Sequence, residues 1–130
     1  MTSLPFRAGR VGPALVLLAA CVVAEPAVPA EAVWQVAGGD PVRGVRWIQE
    51  LGCARCHTIP GVRNATGNVG PPLDRIGSRR FIAGVLDNNP ANMTRWIRDP
   101  QGVVPGNAMP DMGISQAQAR DIAAYLYTLR

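Results

Sequence analysis

The chain has 130 residues, 48% apolar but only 5% aromatic, with one His, three Cys and a formal net charge of +4; every one of its 13 basic residues is Arg. That length allows one domain, one His excludes a site built on two imidazoles, such as a two-His zinc site, and three Cys exclude a multi-bridge disulfide scaffold. A small core so short of large apolar side chains needs something else at its centre, and Arg residues scattered among acids, with no basic run longer than Arg79-Arg80, do not form a nucleic-acid surface.

Residues 1–20 read as an export signal. Arg7 and Arg10 are the only charges before residue 25, and Val11 to Ala24 is a largely apolar stretch of 14 residues. A helix that spans a bilayer needs about 20. Leu18-Ala19-Ala20-Cys21 resembles the lipobox of bacterial lipoproteins, in which Cys21 would be lipidated and tether the chain to a membrane surface. Ordinary cleavage after Ala24 or Ala30 is the alternative. Loss of the leader removes Arg7 and Arg10, leaving 11 Arg against nine acids, a net +2. Residues 21–39, rich in Ala, Val and Pro without periodicity, read as a linker, and 40–130 as the domain.

Asp40-Pro41 predicts a helix start. Val42, Val45, Ile48 and Leu51, with Trp47, make an apolar stripe that Gly52 ends. Residues 53–78 read as irregular and 79–86 as a short helix. Pro90 opens a helix carrying Met93, Trp96 and Ile97, stopped at Asp99-Pro100. Residues 100–113 read as a Gly/Pro-rich loop. Ser115-Gln116-Ala117-Gln118 is a capping box that opens a last helix over 116–129, with Ala119, Ile122, Tyr125, Leu126 and Leu129 on one face. No run carries a strand signal. The expected domain is small, all-α and loop-rich.

Cys53-Ala54-Arg55-Cys56-His57 is C-x-x-C-H, the pattern of c-type haem attachment. Two thiols three positions apart can each add to a vinyl group of one porphyrin, and the adjacent His57 is then held under the ring to bind iron. Three other chemistries use Cys pairs. A thioredoxin-like redox pair lacks its βαβ context, a zinc site lacks its second pair of ligands, and a structural disulfide does not account for the adjacent His. With haem bound, its iron has a sixth ligand or an open position; with no second His, the candidate ligands are Met93, Met109 and Met112. Met93 shares an apolar helix face with Trp96 and Ile97 and reads as core. Met109 lies in the loop Pro105-Gly106-Asn107-Ala108-Met109-Pro110 and is favoured over Met112 in the same loop.

On these residues the chain resembles a class I c-type cytochrome over 40–130. The resemblance rests on the attachment motif, Gly70-Pro71-Pro72-Leu73, Met109-Pro110 nine residues after Pro100, and Ala124-Tyr125-Leu126 in the last helix. It implies about four helices and long loops around one covalent haem c, with His57 and Met109 on the iron. It also implies that the Pro71 carbonyl holds His57 Nδ1–H, that Leu73 and Trp96 pack on the haem, and that Arg79 lies near a propionate, with a solvated surface Arg as an equal alternative. Gly44 and Tyr125 would meet where the first and last helices cross. Segments such as Trp96-Ile97-Arg98-Asp99-Pro100-Gln101 are similar to the cytochrome c domain fused to subunit II of some haem–copper oxidases; a binuclear copper domain and a transmembrane hairpin are not in this sequence.

The expected function is single-electron transfer in an exported respiratory chain, on the periplasmic side of the cytoplasmic membrane, lipid-anchored or soluble. Expected partners are a redox donor and a terminal oxidase, with a monomeric carrier and no nucleic acid. Arg55, between the two cysteines, is placed to steer partners or is a plain solvated Arg. The competing readings are a ligand-binding or catalytic haem protein with a labile sixth ligand, and a haem-free thiol oxidoreductase.

Overall fold

The computed structural model describes residues 34–130; the expected leader, Cys21 and the linker as far as Val33 lie outside the described residues. Helix α1 (Pro41–Glu50) starts because Asp40 caps it. The Asp40 carboxylate accepts from the backbone N–H of Val42 and Arg43 at 2.8 and 3.2 Å, and Pro41 takes a first-turn position that needs no donor. Leu51 closes the helix and Gly52 follows at φ 73°, a left-handed conformation that turns the chain into a 3-10 turn at Cys53–Arg55.

The central contact of the fold is the crossing of α1 with the last helix, α4 (Gln116–Leu126). Gly44 makes the crossing close: a Cβ there would strike the carbonyl oxygen of Asp121 and lie 3.0 Å from Tyr125 Cβ. Ile48, Ala119, Ile122, Ala123 and Leu126 are buried around it. One polar group is buried with them. Asp121, 4% exposed, accepts from the Asp40 backbone N–H, from Arg43 Nε and Nη2 (each 2.9 Å) and from Trp47 Nε1 (3.3 Å). Trp47, expected only as part of an apolar stripe, thus has a polar role as well. The capping box of α4 forms as expected, with Gln118 N–H donating to Ser115 Oγ and Ser115 N–H to Gln118 Oε1. The helix ends at Leu126 rather than 129, with Tyr127 as its C-cap.

Helix α2 (Pro90–Arg98) is capped by Asn89, which accepts from Asn92 N–H at 2.9 Å, and packs on α4 through Met93 and Ile97. Two expectations fail around it. The helix expected over 79–86 is a small antiparallel hairpin, β1 (Phe81–Ile82) with β2 (Leu86–Asp87), Phe81 opposite Asp87 and Ile82 opposite Leu86. Ala83 and Gly84 reverse the chain at φ 51° and 73°, and the buried Asn88 ties the hairpin down. Asn88 Nδ2 donates to the carbonyls of Ile76 and Arg79, both at 2.7 Å, and its Oδ1 accepts from the Tyr127 hydroxyl at 2.6 Å. These tertiary bonds outweigh local helix propensity. The loop expected over 100–113 begins with a one-turn helix, α3 (Pro100–Val103), because Asp99 both ends α2 and caps the next turn through Gly102 N–H at 2.8 Å.

The packed domain also begins before residue 40, so the linker expected to reach 39 ends earlier. Val36 is buried, the Trp34 ring lies 6.0 Å from that of Tyr127, and the Arg130 guanidinium sits 5.5 Å over Trp34. Among the described residues no helix is long and apolar enough to cross a membrane.

Candidate cofactor site

A cavity of about 500 Å³ lies between these elements, within the range of small-molecule and cofactor sites, roughly 300–1,000 Å³. Its apolar wall comes from Ile48 of α1, Met93 and Trp96 of α2, Ile82 of the hairpin, and Ile122 and Leu126 of α4. The structure brings to this one cavity all eight residues singled out from sequence: Cys53, Cys56, His57, Pro71, Leu73, Arg79, Trp96 and Met109. Met112 reaches it too, but is 42% exposed. Met93, expected as core, is both buried and part of the wall. Arg55 is exposed and outside it.

The 3-10 turn after Gly52 delivers the attachment segment. Cys56 and His57 each donate their backbone N–H to the Cys53 carbonyl, at 3.2 and 3.0 Å. The opposite strand of chain, 70–73, is clamped to it by Gly70 N–H to the Cys56 carbonyl and Leu73 N–H to the Thr58 carbonyl, both 2.8 Å. His57 Nδ1 then lies 2.8 Å from the Pro71 carbonyl oxygen. A carbonyl only accepts, so Nδ1 carries the proton and Nε2 keeps its lone pair for a ligand. Gly70 is required beside this ring: a Cβ there would land on the imidazole, 2.7 Å from Nδ1. Arg79, expected near a propionate, spends Nη2 on the chain itself, donating to the carbonyls of Pro72 (2.6 Å) and Asp74 (2.8 Å) and so bracing the Pro71 segment.

Cys53 and Cys56 are not joined to each other in a disulfide. Burial pushes the Cys53 thiol up, the opposite of the depressed pKa that a thiol–disulfide nucleophile needs. Among the described residues no three His, Cys, Asp or Glu side chains converge to hold a bare metal ion. One imidazole nitrogen, two thiols and a thioether on an apolar wall instead suit a metal that brings its own in-plane ligands, and in that respect the residues fit haem.

The family model for cytochrome c matches residues 42–130. The chain belongs to the cytochrome c family. It is 37% identical over 89 residues to the cytochrome c oxidase subunit 2 of Alkalihalophilus pseudofirmus, covering 68% of this chain and 25% of that protein. It is 30% identical over 90 residues to cytochrome c2 iso-2 of Magnetospirillum fulvum, covering 59% of this chain and 91% of the relative. The chain thus spans about a quarter of the length of the oxidase subunits it matches. The crystal structure of cytochrome c2 from Rhodobacter sphaeroides has the same fold, with a TM-score of 0.52 over 70% of this chain and 96% of that one, at 21% identity. The cofactor of such a cytochrome c domain is one covalently attached haem c. The class I cytochrome fold read from sequence therefore stands, with the hairpin and α3 added to it.

Sequence reasoning missed Gln101 and Asn107, whose side-chain amides hold the Met109 loop (below), and Asp121 at the helix crossing. Their partners are backbone groups or distant side chains. The one local sign was Asp99-Pro100, read as a stop although it is also the start of the turn that carries Gln101.

Proposed function

We propose that this domain is an exported monohaem electron carrier that delivers single electrons to a membrane terminal oxidase. The observation that carries the reading is the presence of His57 and Met109, a nitrogen and a sulfur donor, on the walls of one largely apolar cavity. A haem whose iron both residues held would have no open position for a substrate. The haem supplies a one-electron Fe(III)/Fe(II) couple, whose potential a Met ligand raises relative to a second His.

The chain's own residues bind and orient. Cys53 and Cys56 would hold the haem through thioethers, and His57 and Met109 would hold its iron. The Pro71 carbonyl fixes the imidazole tautomer, and Leu73 and Trp96 exclude water. Arg79 braces the Pro71 segment, and the rest of its guanidinium would be left to hold a haem carboxylate. The named oxidase subunits among the relatives support an oxidase as acceptor, approached through a small, transient interface. Cys21 in its lipobox setting supports a lipid tether on the periplasmic side of the membrane; a soluble monomer is the other form.

The test is the holoprotein made with haem-attachment machinery. A pyridine haemochrome assay should give one covalent haem, and the reduced protein should bind CO poorly. Met109→Ala should bind CO strongly and have a lower potential. Strong CO binding by Met112→Ala, with Met109→Ala unchanged, overturns the ligand assignment. Reduced holoprotein should also drive oxygen uptake by oxidase-containing membranes, and its failure to do so overturns the acceptor.

A further inference from the structure

We infer that Gln101 and Asn107 are positioning residues that hold the backbone of Met109 and so select it over Met112. The inference rests on Met109 being the sulfur ligand.

Gln101 Nε2 donates to the carbonyls of Asn107 (3.0 Å) and Met109 (2.7 Å), while its Oε1 accepts from Gly106 N–H (2.9 Å). Asn107 Nδ2 donates to the carbonyls of Pro100 (2.9 Å) and Val104 (2.7 Å), while its Oδ1 accepts from Met109 N–H (2.8 Å). Both backbone polar groups of Met109 are therefore held by these two side chains. The amide orientations are forced, since a half-turn of either would put its oxygen against two carbonyls. Little else shapes the segment: its own backbone bonds are Val104 N–H to Pro100 and Asn107 N–H to Val104. Gln101 itself is fixed because it sits on α3, whose start Asp99 caps.

Met112 has no such frame. Among the described residues neither of its backbone groups has a protein partner, and the nearby Asp111 carboxylate serves Gly113 N–H instead. The two methionines share one loop and one cavity; Met112 is the more exposed, and only Met109 is held by the amide frame. A loosened frame raises the fraction of molecules in which the thioether has left its position. The apparent affinity for an exogenous ligand rises in proportion to that fraction.

The experiment measures CO affinity of the reduced holoprotein. Gln101→Glu keeps the length of the side chain but removes both donors, and Asn107→Ala removes the second amide. Each should tighten CO binding by about 10- to 100-fold, the scale of one or two lost hydrogen bonds, short of the limit set by Met109→Ala. Tyr127→Phe loses a buried bond outside this segment, and should lower Tm without changing CO affinity. Wild-type CO affinity in both Gln101→Glu and Asn107→Ala, or a rise no larger than that of Tyr127→Phe, overturns the positioning role. Unchanged CO affinity in Met109→Ala overturns the ligand reading itself.

Discussion

Gly44→Ala tests what sets the approach of α1 to α4. The added Cβ would strike the Asp121 carbonyl oxygen and lie 2.7 Å from its carbon and 3.0 Å from Tyr125 Cβ. Carbon atoms pack best at about 3.5–4.0 Å, so the helices must separate by about 1 Å at this point. Neither obstacle is the free end of a side chain, so relief has to come from the backbone. Ile48, one turn along α1 and 1% exposed, moves with it, and it forms part of the cofactor cavity wall. A rigid overpacked contact costs about 3 kcal/mol. Removing a helical Gly returns about 1 kcal/mol of propensity. The net loss of about 2 kcal/mol is a large part of the roughly 5–15 kcal/mol available to a domain. At about 4–8 °C per kcal/mol for a domain of this size, the Tm of the holoprotein should fall by about 8–16 °C. Thermal unfolding followed by circular dichroism reads it directly. Propensity alone predicts the opposite sign, so a Tm equal to or above wild type would refute the claim that Gly44 sets the crossing.

Features written in local chemistry were legible in the sequence. A cap and the N–H groups it satisfies lie within three residues, so Asp40 and Ser115-Gln118 were visible without the fold. The attachment motif was visible for the same reason, and the eight cofactor-site residues that it and the family resemblance implied line one cavity. Features written in long-range bonds were not. The hairpin at 81–87 depends on Asn88, whose partners are 12 residues away at Ile76 and 39 residues away at Tyr127. Asp121 serves donors 74 to 81 residues away, so nothing near it in the sequence marks its role. Gln101 and Asn107 bond mainly to carbonyls, which every residue has. Their bonds follow no recurring spacing of the kind that marks a helix cap, and that is why the frame of the Met109 loop was invisible while Met109 itself was not.

Two further predictions concern the ring of His57 and the clamp on α4. Gly70→Ala puts a Cβ against the His57 imidazole, 2.7 Å from Nδ1 and 2.9 Å from Nε2, and so disturbs its bond to the Pro71 carbonyl. Covalent haem, read by haemochrome, should persist through the thioethers while the potential falls; a wild-type potential would show that the ring has room there. Asp121→Asn removes the charge that Arg43 and Trp47 address. The Arg43 hydrogen bond, followed by that of the Asp40 N–H, holds the Asp121 carboxyl below the ordinary carboxylate range against the opposing effect of burial. A folded-state pKa below the unfolded one means that the folded protein binds fewer protons. The stabilisation is therefore complete above the unfolded value, about 3.9, and is lost as pH falls through the folded value. The Tm gap between wild type and Asp121→Asn should be constant from about pH 5 to 8 and shrink below about pH 4. A gap that widens as pH falls would mean that the buried carboxylate destabilises the crossing, and that its four donors do not offset its desolvation.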